Sequence, residues 1–133
     1  MPAVVRRRLA LRMDAELTIS RRSLAQCEVL SLAGELDLAR APEVSETLDA
    51  LAAPSRPVVV DLTDLDFIDS TGIHALAHSA PRRGVVELVC PPGNVRRVLE
   101  MARIDRVLRV FDSLDAALAE HGAPAGGAAV TGG

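Results

Sequence analysis

The sequence has no Trp, no Tyr and no Lys, and its only aromatic residues are Phe67 and Phe111. With no platform on which bases stack and a formal net charge of -3, a nucleic-acid role has neither a stacking surface nor electrostatic support. The core must be built from Leu, Val, Ile and Ala. All fifteen basic residues are Arg, a coding preference that says nothing about a ligand. No run of about 18 apolar residues occurs, so no segment is expected to span a membrane. Cysteine is equally scarce. Cys27 and Cys90 lack CxxC or Cys/His spacing, and with no export signal in view they read as buried, reduced thiols rather than metal ligands or a disulfide. The basic stretch with Arg6, Arg7, Arg8 and Arg12 leads into no apolar run or small-residue cleavage site, so it does not read as a signal peptide. The expected location is the cytoplasm.

What is present fits one domain: 133 residues, 49% of them hydrophobic, suffice for a single core. Residues 1–15 read as a flexible basic arm, 16–121 as the folded domain and 122–133 as a disordered Gly/Ala-rich tail. Alternation over Glu16 to Arg21 and Glu28 to Leu32 predicts two strands joined through Arg22 to Gln26 as a hairpin, with Gly34 to Asp37 ending the second. Val44, Leu48 and Leu51 recur at helical spacing within Ala41 to Ala53, and Pro42 stands near that helix's start, where its missing N–H costs little. Pro57 to Leu62 reads as a strand buried on both faces, and a second helix is expected from Ile73 to about Ser79. Val85 to Cys90 predicts another strand. Asn94 is the expected cap of a third helix that turns Val95, Val98, Leu99 and Ala102 to the sheet. A short strand within Val107 to Phe111 and a last helix capped by Ser113 complete the order β β α β α β α β α. Such alternation predicts an α/β fold, a mixed, mostly parallel sheet with an N-terminal antiparallel hairpin and about four helices.

In sheets of this kind, ligand and partner sites gather at the carboxyl ends of the strands. Both Asp37 and Asp69-Ser70-Thr71-Gly72 fall there. The first turn of a helix has backbone N–H groups without intrahelical partners, and these, with the positive end of the macrodipole, stabilise a carboxylate, a hydroxyl or a phosphate. Ser70 thus reads as a cap or as a phosphorylation switch, two alternatives that the four residues leave open.

Several segments together resemble a known family. Leu30 to Asp37, Val58 to Leu62, Phe67-Ile68-Asp69-Ser70-Thr71-Gly72-Ile73 and Asn94 to Ile104 are similar, in order and spacing, to the STAS domain of bacterial anti-sigma factor antagonists. The resemblance runs from about Leu17 to Leu118. It implies that residues 16–121 form a STAS domain that binds an anti-sigma factor with serine kinase activity and so releases a sigma factor. The kinase phosphorylates the serine after the motif's aspartate, here Ser70, which breaks the complex, and a phosphatase resets it. The partner-binding residues so implied are Asp37, Asp69, Ser70, Thr71, Gly72, Ile73 and Leu76. No catalytic residue, cofactor or metal is implied.

Each of these residues has a plainer reading. Asp69 and Thr71 suit a helix's first turn, Asp37 a turn, Gly72 a tight corner, and Ile73 and Leu76 a core. His74 and His78 stand four apart, a metal-ligand spacing, but with no third ligand they read as solvent-facing. Compared with the family pattern the second helix is about one turn short, because Pro81-Arg82-Arg83-Gly84 arrives early. An enzyme is not expected, since neither a Gly-x-Ser-x-Gly elbow nor a Gly-rich phosphate loop is present. The rival reading is a STAS scaffold subunit of a transporter or stress-sensing complex, docking without a phosphorylation cycle.

Overall fold

The computed structural model describes residues 16–51, 56–77 and 85–122. The arm expected at 1–15, nearly all of the tail expected at 122–133, and the segment held to shorten the second helix lie outside the described residues.

Strands β1 (Leu17–Ser23) and β2 (Glu28–Leu36) pair antiparallel, Leu17 opposite Gly34 and Ser23 opposite Glu28. Pairing runs past the expected turn at Arg22 because the Ser23 hydroxyl meets both oxygens of Glu28 (2.8 and 2.9 Å) and closes the end of the ladder. Helix α1 (Ala41–Leu51) buries Ala41, Val44 and Leu48. Residues 52 and 53, placed at its end by the pattern, lie outside the described residues.

Strand β3 (Val58–Ile68) is parallel to β2 and continuous, from Val58 opposite Glu28 to Ile68 opposite Leu36. It takes in one extra residue between the partners of Ser31 and Ala33, and another between those of Gly34 and Glu35. These bulges bend the pair and set where its carboxyl end points. Helix α2 (Ser70–Ala77) then begins three residues earlier than the apolar pattern suggested. Strand β4 (Val86–Val89), helix α3 (Asn94–Met101), a 3-10 turn (Ile104–Arg106), strand β5 (Val110–Phe111) and helix α4 (Leu114–Glu120) follow.

The sheet order is β1-β2-β3-β4-β5, antiparallel at the first pair and parallel afterwards. With four helices among the described residues, this is the α/β architecture expected from the alternation of elements. Alternate strand residues build two cores, as the pleat requires. Leu30, Val60 and Leu88 face α1, α2 and α3, whereas Val29, Val59 and Val89 face α4 through Ala117 and Leu118. No helix among the described residues is long and apolar enough to cross a membrane.

Local corrections have local causes. Asn94 does not cap α3: Gly93, at φ 156°, makes the turn, and Asn94 is the first helical residue. Ala102 is an exposed C-cap, because the chain leaves the sheet there through Arg103 in the left-handed region. Val107 precedes β5 and is exposed. Ser113 does cap α4, accepting from the Ala116 N–H at 3.1 Å. Cys27 and Cys90 are buried free thiols, and Cys90, expected within its strand, lies just past the end of β4. Burial pushes the Cys90 thiol up to about 11.

Two buried acids escaped the sequence pattern. Glu87, on the α4 face of β4, meets His121 Nε2 at 2.6 Å where α4 ends. Glu28 accepts from Arg56 Nε at 2.9 Å and Arg21 Nε at 3.2 Å, while the Arg56 guanidinium also donates to the Leu24 and Ala25 carbonyls across the β1–β2 turn.

Candidate functional site at the carboxyl end of β2 and β3

Because Leu36 and Ile68 are register partners at the ends of parallel strands, the residues that follow them, Asp37 and Asp69, emerge side by side. The Asp69 N–H donates to the Leu36 carbonyl at 3.3 Å, tying one exit to the other. Asp69 is the cap of α2. Its Oδ1 accepts from the Gly72 N–H at 2.9 Å and the Thr71 hydroxyl at 2.6 Å, and its Oδ2 accepts from the Leu38 N–H at 3.2 Å. Burial alone would raise this carboxyl, but the bonds from Thr71, Gly72 and Leu38 outweigh it and hold the group below the usual carboxylate range. Replacing Asp69 by alanine should cost about 1–2 kcal/mol, as loss of a helix cap does, and speed amide exchange in the first turn of α2. Hydrogen-exchange mass spectrometry checks this; unchanged exchange would show the cap to be dispensable.

This cap separates the two neighbouring hydroxyls. Thr71 is half-buried and committed to Asp69, whereas Ser70 is exposed and its hydroxyl makes no hydrogen bond among the described residues. Asp37 is engaged in the turn before α1: its Oδ1 accepts from the Arg40 N–H at 3.2 Å, and the Arg40 guanidinium approaches it at 3.3 Å.

Gly72 and Leu76 do not lie on the surface. A Cβ at Gly72 would come within 2.7 Å of the Leu36 carbonyl oxygen and 2.9 Å of Ile68 Cγ1, so this glycine lets α2 sit close against the ends of its own strands. Leu76 is fully buried against the sheet, as its spacing from Gly72 along the inner face of α2 dictates, and it is core rather than partner surface. Ile73 is half-buried and packs on the same core.

Residues outside the expected set complete the surface. Leu38 is 69% exposed, and it lines an open groove of about 330 Å³ between α1 and α2 with Pro42, Ser45, Ser70, Thr71 and His74. Phe67, 44% exposed, stands at the end of β3. An exposed Leu beside an Asp looks like any loop residue in sequence, so nothing marked Leu38 beforehand. Among the described residues no group of three or more His, Cys, Asp or Glu is placed to hold a metal ion, and His78 lies outside them.

An exposed serine thus stands at the carboxyl edge of this sheet beside a capping aspartate, within one of the segments that carried the family resemblance. A family model for the STAS domain matches residues 18–117. The chain belongs to the STAS domain family. It is 33% identical over 94 residues to the anti-sigma-F factor antagonist RsfB of Mycobacterium tuberculosis (strain CDC 1551 / Oshkosh), covering 68% of this chain and 77% of that one. The crystal structure of an anti-sigma factor antagonist from Mycobacterium paratuberculosis superposes with a TM-score of 0.71 at 26% identity, covering 80% of this chain and 94% of that one. The Bacillus cell fate determinant SpoIIAA in its phosphorylated form shares the fold, with a TM-score of 0.56 at 15% identity over 77% of this STAS chain and 98% of its own.

Proposed function

We propose that this STAS protein is an anti-sigma factor antagonist that binds an anti-sigma factor with serine kinase activity, releases a sigma factor, and is switched off by phosphorylation on Ser70. A phosphatase restores the binding form. The chain is a regulator in this reading, not an enzyme, and needs no cofactor.

The observation that carries the proposal is the exposed hydroxyl of Ser70, uncommitted among the described residues, next to Thr71, whose hydroxyl is tied to Asp69. Two relatives named as anti-sigma factor antagonists support the partner class. The phosphorylated form of SpoIIAA supports the idea that the fold accommodates the modification.

The mechanism follows from charge. Phosphorylation adds about 1.5 to 2 negative charges. At Ser70 they would arrive beside the ionised Asp69 and the Asp37–Arg40 pair, at the rim of the groove that Leu38 lines. A partner fitted to the neutral hydroxyl then meets a desolvated dianion, and local repulsion suffices without refolding. Docking surfaces in this reading are Asp37, Leu38, Asp69, Ser70, Thr71 and the exposed edge of Ile73.

Incubation with ATP and an anti-sigma kinase that binds the unmodified chain should place one phosphate on Ser70, seen by mass spectrometry, and Ser70→Ala should remove it while binding persists. Ser70→Asp should weaken binding by roughly thirtyfold to a hundredfold in calorimetry, about 2 to 2.7 kcal/mol. Phosphate on Thr71 instead, or full-strength binding by Ser70→Asp, would sink the switch.

A further inference from the structure

We propose that His74 is a positioning residue for the phosphate: when Ser70 carries one, the His74 side chain pairs with it and favours its dianion. This rests on the reading of Ser70 as the modified residue.

The geometry begins with the helix. Ser70 and His74 are four apart on α2, so their side chains lie one above the other on one face, with Cβ atoms about 5–6 Å apart. Both are exposed and both line the groove between α1 and α2. A phosphate is longer than a hydroxyl by a P–O bond and carries three acceptor oxygens, which brings it within reach of an imidazole at that spacing. A phosphoserine ordinarily loses its second proton near pH 6. An imidazole N–H donating to the phosphate oxygens favours the dianion over the monoanion and so lowers the pH of that ionisation.

The charged groups that the described elements carry are identifiable. Asp69 is held by Thr71, Gly72 and Leu38, and Asp37 is paired with Arg40. Helix α1 carries Glu43, Glu46 and Asp49, and β3 carries Asp61, Asp64 and Asp66. All persist in a His74→Gln variant, so comparing the two chains cancels their effect.

A functional consequence follows for the switch: by favouring the dianion, His74 keeps the full added charge on Ser70 down to a lower pH.

The test uses chain bearing phosphoserine at position 70 by genetic or semisynthetic incorporation, so that it runs whether or not any kinase chooses Ser70. In a phosphorus NMR titration, the phosphate's second ionisation should fall at a pH about half a unit lower in the His74 chain than in His74→Gln, a threefold change in the ionisation constant. His74→Arg should restore the lower midpoint. Coincident titrations of the His74 and His74→Gln chains would overturn the pairing while leaving the Ser70 switch intact. A failure of kinase labelling with the coupling present would overturn the switch instead.

Discussion

Replacing Glu28 by alanine is expected to lower the free energy of unfolding by about 3 kcal/mol. Its carboxylate is only 7% exposed, yet it holds three donors: Arg56, Ser23 and Arg21. Removing one side of a buried ion pair costs about 3–5 kcal/mol, because the other side stays desolvated without its partner. Arg56 is 36% exposed and keeps its bonds to the turn carbonyls, which sets the expectation at the lower end. With a urea slope of about 2 kcal/mol/M, the midpoint should fall by about 1.5 M. Glu28→Gln keeps the shape and loses the charge, so an unchanged midpoint for Glu28→Gln would assign the effect to packing.

The same carboxyl gives the fold an acid limit. Hydrogen bonds from Arg56 and Ser23 hold Glu28 below its ordinary range. A folded value lower than the unfolded one means that the stabilisation is present above the unfolded value, about 4.3, and disappears as pH falls through the folded value. Stability should therefore drop more steeply below about pH 4.3 in the native chain than in Glu28→Gln.

Much of the fold was legible because periodicity reports burial. The run Val58 to Val60 is buried completely, and Val44 and Leu48 face the sheet as their spacing predicts. Ser113 was readable as a cap since its partner, Ala116, is three residues away. Asn94 misled for the complementary reason: a Gly at φ 156° can make the turn without any side chain, and sequence does not print φ. The start of α2 differs from the pattern because the apolar residues begin at Ile73, while the hydrogen bonds that start the helix are accepted by Asp69.

At the candidate site, the acids and hydroxyls were legible as a group, since parallel neighbours end together. Their separate commitments were not. That Thr71 is tied and Ser70 is presented depends on a 2.6 Å bond, and that Gly72 serves the chain's own packing depends on the Leu36 carbonyl across the strand pair. Leu38 and His74 belong to the surface through the groove between two helices, a relation that no local pattern encodes.

Gly34→Ala should be as damaging as loss of Glu28, by about 3 kcal/mol, from the sum of two independent costs. Gly34 adopts φ 108°, which is strained for any residue with a Cβ, and that Cβ would lie 2.0 Å from the Glu16 carbonyl oxygen. The close approach is structural: the same oxygen accepts from the Glu35 N–H at 3.2 Å, so it cannot retreat without breaking the start of β1 from β2. Gly122, at φ 83° with nothing near its Cβ position, offers the comparison. Gly122→Ala bears the backbone cost alone and should lose about 1 kcal/mol. The difference between the two variants then measures the collision. Gly34 also sits at the bulge from which β2 runs on through Leu36 to Asp37, so the damage should reach the site. Faster amide exchange at Leu38 and Gly72 in Gly34→Ala, absent from Gly122→Ala, is the expected sign that the bulge aims the carboxyl end of β2 at Ser70. Equal exchange in both variants would confine the role of Gly34 to the hairpin.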